Sequence, residues 1–106
     1  ALELAKRSVE LLPNQIFNKD TLAWAYYKNG RYIEALEEIN AIRDVVDESP
    51  EIHFHYIMIL NSMSLLKNPI DLLNKLLADP EVILNKSLSN SIHLARDKIY
   101  AESQHD

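Results

Sequence analysis

One glycine and four prolines stand in a chain of 106 residues. This scarcity constrains the fold most, because β-hairpins lean on glycine-containing turns, whereas prolines stop and start helices. Leu, Ala, Glu and Lys, all good helix formers, fill the remaining space, so the expectation is an all-α chain punctuated at its prolines. Leu2, Ala5, Val9 and Leu12 step by threes and fours along one face of a helix over Ala1 to Leu12, which Pro13-Asn14-Gln15 breaks. A second helix, Phe17 to Asn29, carries Leu22, Ala23 and Tyr26 on one side and ends at Gly30, the residue a left-handed cap prefers. A third starts at Tyr32, turns Ile33, Leu36, Ile39, Ile42 and Val46 inward, and stops at Asp47-Glu48-Ser49-Pro50. Ser49 then acts as N-cap, with Pro50 in the first helical position, and opens a fourth helix from Glu51 to about Leu66. After Asn68-Pro69 comes a short fifth, Ile70 to Leu77. Beyond Asp79-Pro80 the stripe Leu84, Leu88, Ile92, Ala95 and Ile99 predicts a last helix over Leu88 to Ala101, with Glu81 to Lys86 as a loop or single turn. Short connections between consecutive helices predict antiparallel hairpins.

Composition narrows the function classes. With 47% hydrophobic and 25% charged residues, the chain reads as one soluble globular domain. A net charge of −5 and a pI near 5.3 provide no basic face for a phosphate backbone, so nucleic acid is not an expected partner. Cysteine is absent, which excludes disulfides and thiolate chemistry. No apolar run approaches the roughly 20 residues of a membrane span, so no membrane insertion is expected. Glu34 to Glu51 holds seven acids against Arg43 alone, read as a solvated outer helix face. Ala1 stands where an initiator Met would, and no signal-peptide pattern follows, so a piece of a longer protein is expected; the compartment stays open.

Catalysis finds no constellation. His53 and His55, two apart on a helix, would point about 200° from each other and could not share a metal. His93 and His105 have no acidic partner at ligand spacing, and all four histidines are read as surface residues. There is no nucleophile–base ordering, no glycine-rich phosphate loop and no pair of inward carboxylates. Asp71 and Glu81 read as helix N-terminal charges. The expectation is a protein that is no enzyme and uses no metal or cofactor.

The strongest positive signal is internal repetition. Ile16 and Pro50, each opening a helical hairpin, lie thirty-four positions apart, and Leu22-Ala23 with Tyr26 recurs in rough form as Tyr56-Ile57 with Leu60. A two-helix unit of that period resembles the tetratricopeptide repeat. The middle copy reads Lys19, Leu22-Ala23, Tyr26, Gly30, Tyr32, Ala35, Ile39, and the stretch Asp20 to Glu38 is similar to a tetratricopeptide core. Residues 1–15 match the second helix of a preceding repeat, 16–49 a full repeat, 50–80 a divergent one and 81–106 a C-terminal cap. Departures accumulate: Lys19 replaces the usual Trp, Asp47 stands where Pro belongs, Ser64 replaces the turn glycine of the third copy, and that copy's second helix starts about three residues late. The resemblance implies a right-handed α-α superhelix of stacked antiparallel hairpins, similar to the C-terminal end of a longer bacterial array.

By the same resemblance, the first helix of each hairpin lines a concave groove that takes peptides or partner helices. Carried over, the groove residues are Phe17, Asp20, Trp24, Tyr27 and Lys28 in the middle repeat, and Glu51, Phe54, Met58, Asn61 and Ser62 in the next. Phe17, Trp24 and Tyr27 share a face distinct from Leu22, Ala23 and Tyr26. Two readings stay open for Trp24 and Phe54: anchors for an apolar or aromatic ligand segment, oriented by Lys28 and Asp20, or packing against the neighbouring repeat. Chaperone-binding members of the family use a Lys and Asn clamp for a C-terminal carboxylate. Asp20 and Trp24 occupy those positions here, which argues against that ligand. The expected function is thus protein–protein binding as a scaffold or adaptor. The alternative is self-assembly, with a homodimer formed through the N-terminal helix, where Leu2, Leu4, Ala5, Val9 and Leu11 offer an apolar face.

Overall fold

A computed structural model describes residues 16–103, and these residues are helical throughout, with turns between the helices and no strand among them. The elements are α1 (Ile16–Lys28), α2 (Tyr32–Asn40), a 3-10 helix (Arg43–Glu48), α3 (Pro50–Ser62), α4 (Pro69–Leu77), α5 (Pro80–Ile83) and α6 (Lys86–Ser103). The helix expected over Ala1 to Leu12, its apolar face, and His105 lie outside the described residues. The chain divides into two compact units after Leu65. The division falls between α3 and α4, within the stretch 50–80 that the repeat pattern groups together.

In the first unit α1 and α2 form a hairpin around a core of Leu22, Ala23, Tyr26, Ala35 and Ile39, joined by Ile42, Val46 and Ile59. Ala23 and Ala35 are wholly buried, and their small side chains let the two helices approach closely. The turn between them is a Schellman motif. Gly30 takes φ +76°, its N–H donates to the Tyr27 carbonyl at 3.0 Å, and the Arg31 N–H donates to the Tyr26 carbonyl at 2.9 Å. The Arg31 guanidinium lies over the Tyr26 ring at 5.1 Å, a side-chain contact across the same turn.

The helix expected to run from Tyr32 to Val46 breaks instead after Asn40. Ile42 adopts φ −117° and ψ 23°, and the chain re-enters as the 3-10 helix. Ile42, Val45 and Val46 are β-branched, which lowers their helix propensity slightly, and the tighter winding still sends Ile42 and Val46 into the core. Ile33, expected inward, is instead 65% exposed; it lies one residue into α2, beside the solvent-facing turn.

Ser49 caps α3 as expected, its side chain accepting from the Ile52 N–H at 3.4 Å, with Pro50 at the first position. The helix ends at Ser62 rather than near Leu66, because Ser64 takes φ +58° and closes a second Schellman motif. The Ser64 N–H donates to Asn61 and the Leu65 N–H to Leu60, both at 3.0 Å. α1 and α3 are therefore thirteen-residue helices offset by thirty-four positions, and both end in the same backbone turn.

The second unit contains α4, α5 and α6 around Leu73, Leu76, Val82, Leu88 and Ile92. α5 and α6 start on side-chain caps, whereas α4 starts at Pro69 without one. Asp79 accepts from the Glu81 N–H at 2.8 Å, and Asn85 accepts from the Leu88 N–H at 3.1 Å, so α6 begins at Lys86, two residues before the expected start. The stretch Glu81 to Lys86, expected as a loop or single turn, overlaps the single turn α5, which begins one residue earlier at Pro80. Leu84, expected to head the buried stripe, is 85% exposed; α5 turns the chain so that Val82 takes the core position. Arg96 of α6 ties back to α4 by donating to Asn74 at 3.0 Å.

Candidate functional site

The residues singled out for a groove lie on α1 and α3 in the first unit. On α1, Leu22, Ala23 and Tyr26 join the core shared with α2. Asp20, Trp24 and Tyr27 recur at four- and three-residue steps on another face, and the first two meet α3. There Trp24 is the centre of a ring stack. Tyr27 lies parallel to it at 4.7 Å and 12°, the His55 imidazole at 4.1 Å and 19°, and Phe54 is tilted at 6.0 Å. Tyr32, the first residue of α2, extends the row through Tyr27 at 5.7 Å. Offset-stacked and tilted geometries are the favourable ones for aromatic pairs, so the stack fixes the Trp24 rotamer as well as burying area. Lys28 Nζ sits 5.8 Å from the Trp24 ring centre, in cation–π range.

Beneath the stack lies a polar contact. Asp20 and His55 are 6% and 7% exposed, and the His55 Nδ1–H donates to Asp20 Oδ1 at 2.8 Å. The bond fixes the protonated nitrogen at Nδ1 and ties α1 to α3 where Trp24 covers them. Among the described residues no buried side-chain N or O lacks a partner. A carboxylate placed in a dry interior costs several kcal/mol without such a donor, so each member depends on the other.

This geometry sorts the expected groove residues. Phe54 is buried in the stack, and Asp20 is turned inward onto His55 rather than outward to orient a ligand. Trp24, Tyr27, Met58 and Asn61 are half-buried, while Lys28 and Glu51 are exposed. Phe17 is 75% exposed and stands outside the ring stack, although it shares the helical face.

The surface reading of His55 is overturned by its burial between Asp20 and Trp24. A signal for it existed in the period: Phe54 lies thirty-four positions after Asp20, so in register-matched first helices His55 falls beside that carboxylate. His53 is half-buried and lies 3.9 Å from the Asp47 carboxylate, a different partner from that of His55, and His93 is exposed against Arg96 at 3.1 Å. Among the described residues no cluster of three or more His, Cys, Asp or Glu could hold a metal ion, and none of the helices is long and apolar enough to cross a membrane.

Compared with known proteins, the chain matches no family model, no curated protein and no solved structure.

Proposed function

We propose that the chain is a non-catalytic protein–protein interaction module of the tetratricopeptide type, a scaffold or adaptor that takes a peptide or partner helix against the first helices of its hairpins. The observation that carries this reading is the pairing of α1 with α3: thirteen residues each, thirty-four positions apart, ending in the same left-handed turn at Gly30 and Ser64. In this reading the hairpins stack as a right-handed superhelix and α6 caps it. Asp20, His55 and Phe54 hold the two first helices in register. Phe17, Lys28 and the open parts of Trp24, Tyr27, Met58 and Asn61 make the contact surface. A partly open aromatic ring beside a cation, as Trp24 beside Lys28, is an effective anchor for an apolar or aromatic segment.

The test is a quantitative pull-down from lysate of the source organism, comparing the wild type with Phe17→Ala/Lys28→Glu. Both side chains are exposed, so the fold is expected to survive, with only a small loss of stability, about 1 kcal/mol or less, because Lys28→Glu places a carboxylate at the C-terminal end of α1 and removes the cation–π contact with Trp24. A protein enriched by the wild type and lost with the variant supports the reading. Equal enrichment by both, or none by either, contradicts it. Light scattering on the same samples separates this from self-assembly, which would give a concentration-dependent mass in both proteins.

A further inference from the structure

We propose that Asn29-Gly30, in the turn between α1 and α2, is a site of spontaneous covalent modification: an asparagine that cyclises onto its own backbone and is held unreactive by the hydrogen bonds of the turn. In the reaction the Gly30 backbone nitrogen, having lost its proton to water, attacks Asn29 Cγ. The N–Cγ bond forms, the Cγ–Nδ2 bond breaks, and Nδ2 departs as ammonia with a proton from water. Water then opens the five-membered imide at either carbonyl and leaves aspartate or isoaspartate. No oxidant or reductant is needed, and Gly30 has no side chain to obstruct the attack.

Both reacting groups are solvent-exposed, and both are engaged. The Gly30 N–H donates to the Tyr27 carbonyl at 3.0 Å, while Asn29 Nδ2 donates to the Ala25 carbonyl at 2.7 Å. Freeing the nucleophile and swinging the side-chain amide onto it therefore means opening the Schellman turn, a local event less costly than unfolding the unit. Glycine is present for its conformation alone, since a Cβ at this position would meet nothing within 4 Å. The sister turn shows that serine meets the same demand, with Ser64 at φ +58° and Met63 before it in place of asparagine. The fold thus contains one reactive turn and one unreactive copy. Conversion would place a carboxylate at the C-terminal end of α1, where the helix dipole is already negative. Isoaspartate would also lengthen the backbone by one carbon, so the Arg31-to-Tyr26 bond could no longer close. The change is one-way and acts on the hairpin that carries the first unit's core.

The experiment is incubation of the intact chain at mildly alkaline pH, folded and in strong denaturant, with each asparagine followed by peptide mass and isoaspartate labelling. Amide exchange at Gly30 is measured alongside. In denaturant, Asn29 is expected to convert ahead of every other asparagine. In the folded chain it should convert at least about tenfold more slowly, the factor that an opening cost of about 1.4 kcal/mol gives. The slowing should match the protection of the Gly30 amide. Gly30→Ser, which copies the sister turn, should slow conversion severalfold in denaturant. Equal rates in folded and unfolded chain, or a slowing unrelated to Gly30 exchange, would overturn the protective role of the turn. Another asparagine reacting first in denaturant would overturn the site.

Discussion

The two units are built by different devices. The first holds a polar pair and aromatic rings as well as aliphatic side chains, and α1 and α3 end on left-handed backbone turns. Among its described residues the second buries only aliphatic ones, Leu73, Leu76, Val82, Leu88 and Ile92, and α5 and α6 begin on the side chains of Asp79 and Asn85. An aliphatic core tolerates many residues of similar volume. The stack and the Asp20–His55 bond tolerate few, since each ring and each polar atom requires a particular neighbour. The repeat pattern is legible in the first unit through the packed residues Leu22, Ala23, Tyr26, Ala35 and Ile39 and the turn at Gly30, and fades in the second, where only caps and apolar spacing remain to be read.

The largest effects should come from the cores. Ile39→Ala in the first unit and Leu73→Ala in the second each remove a wholly buried side chain and are expected to cost about 2–5 kcal/mol in urea unfolding. A loss below about 1 kcal/mol at either site would mean that the corresponding unit is not packed as described. The comparison sharpens with Asp20→Ala, which leaves the buried imidazole without its acceptor and should cost about 1–3 kcal/mol. It should also alter the emission of Trp24, the chain's single tryptophan, because its ring stacks on His55. No counterpart in the second unit should move that signal while the protein stays folded.

Smaller effects distinguish the turns from the caps. Ser64→Gly should stabilise the protein by up to about 1 kcal/mol by removing the Cβ from a left-handed residue, and Gly30→Ala should destabilise it by a similar amount. Equal signs would break the equivalence of the two turns. In the second unit, Asn85→Ala and Asp79→Ala should each cost about 1 kcal/mol, read as loss of helicity at the starts of α6 and α5.

Much of the fold was legible in the sequence because prolines and N-caps act locally: Ser49-Pro50 and Asn68-Pro69 each open a helix within a residue of where one was expected, and the loop or single turn expected after Asp79-Pro80 is the single turn α5. The misreadings have local causes of another kind. A period of 3.6 cannot register the slip into 3-10 winding after Asn40, because Ile42 and Val46 stay inward in both forms. Ile33 and Leu84 lie at helix edges, where a stripe continued by one step runs past the element that supports it. At the candidate site, the shared face of Trp24 and Tyr27 was visible from their spacing. The burial of Asp20 and His55 showed only through the thirty-four-residue offset that sets His55 beside Asp20, a signal that ordinary exposure rules override because they place both types at the surface.

The account rests most heavily on α1 and α3 being matched neighbours joined by Asp20 and His55 beneath Trp24. A double-mutant cycle tests it directly: Asp20→Ala, His55→Ala and the double variant, each unfolded in urea and followed by Trp24 emission. The account predicts a coupling energy of at least about 1 kcal/mol, as expected for residues that share a buried hydrogen bond. Additivity within about 0.5 kcal/mol, the behaviour of residues that do not touch, would contradict it.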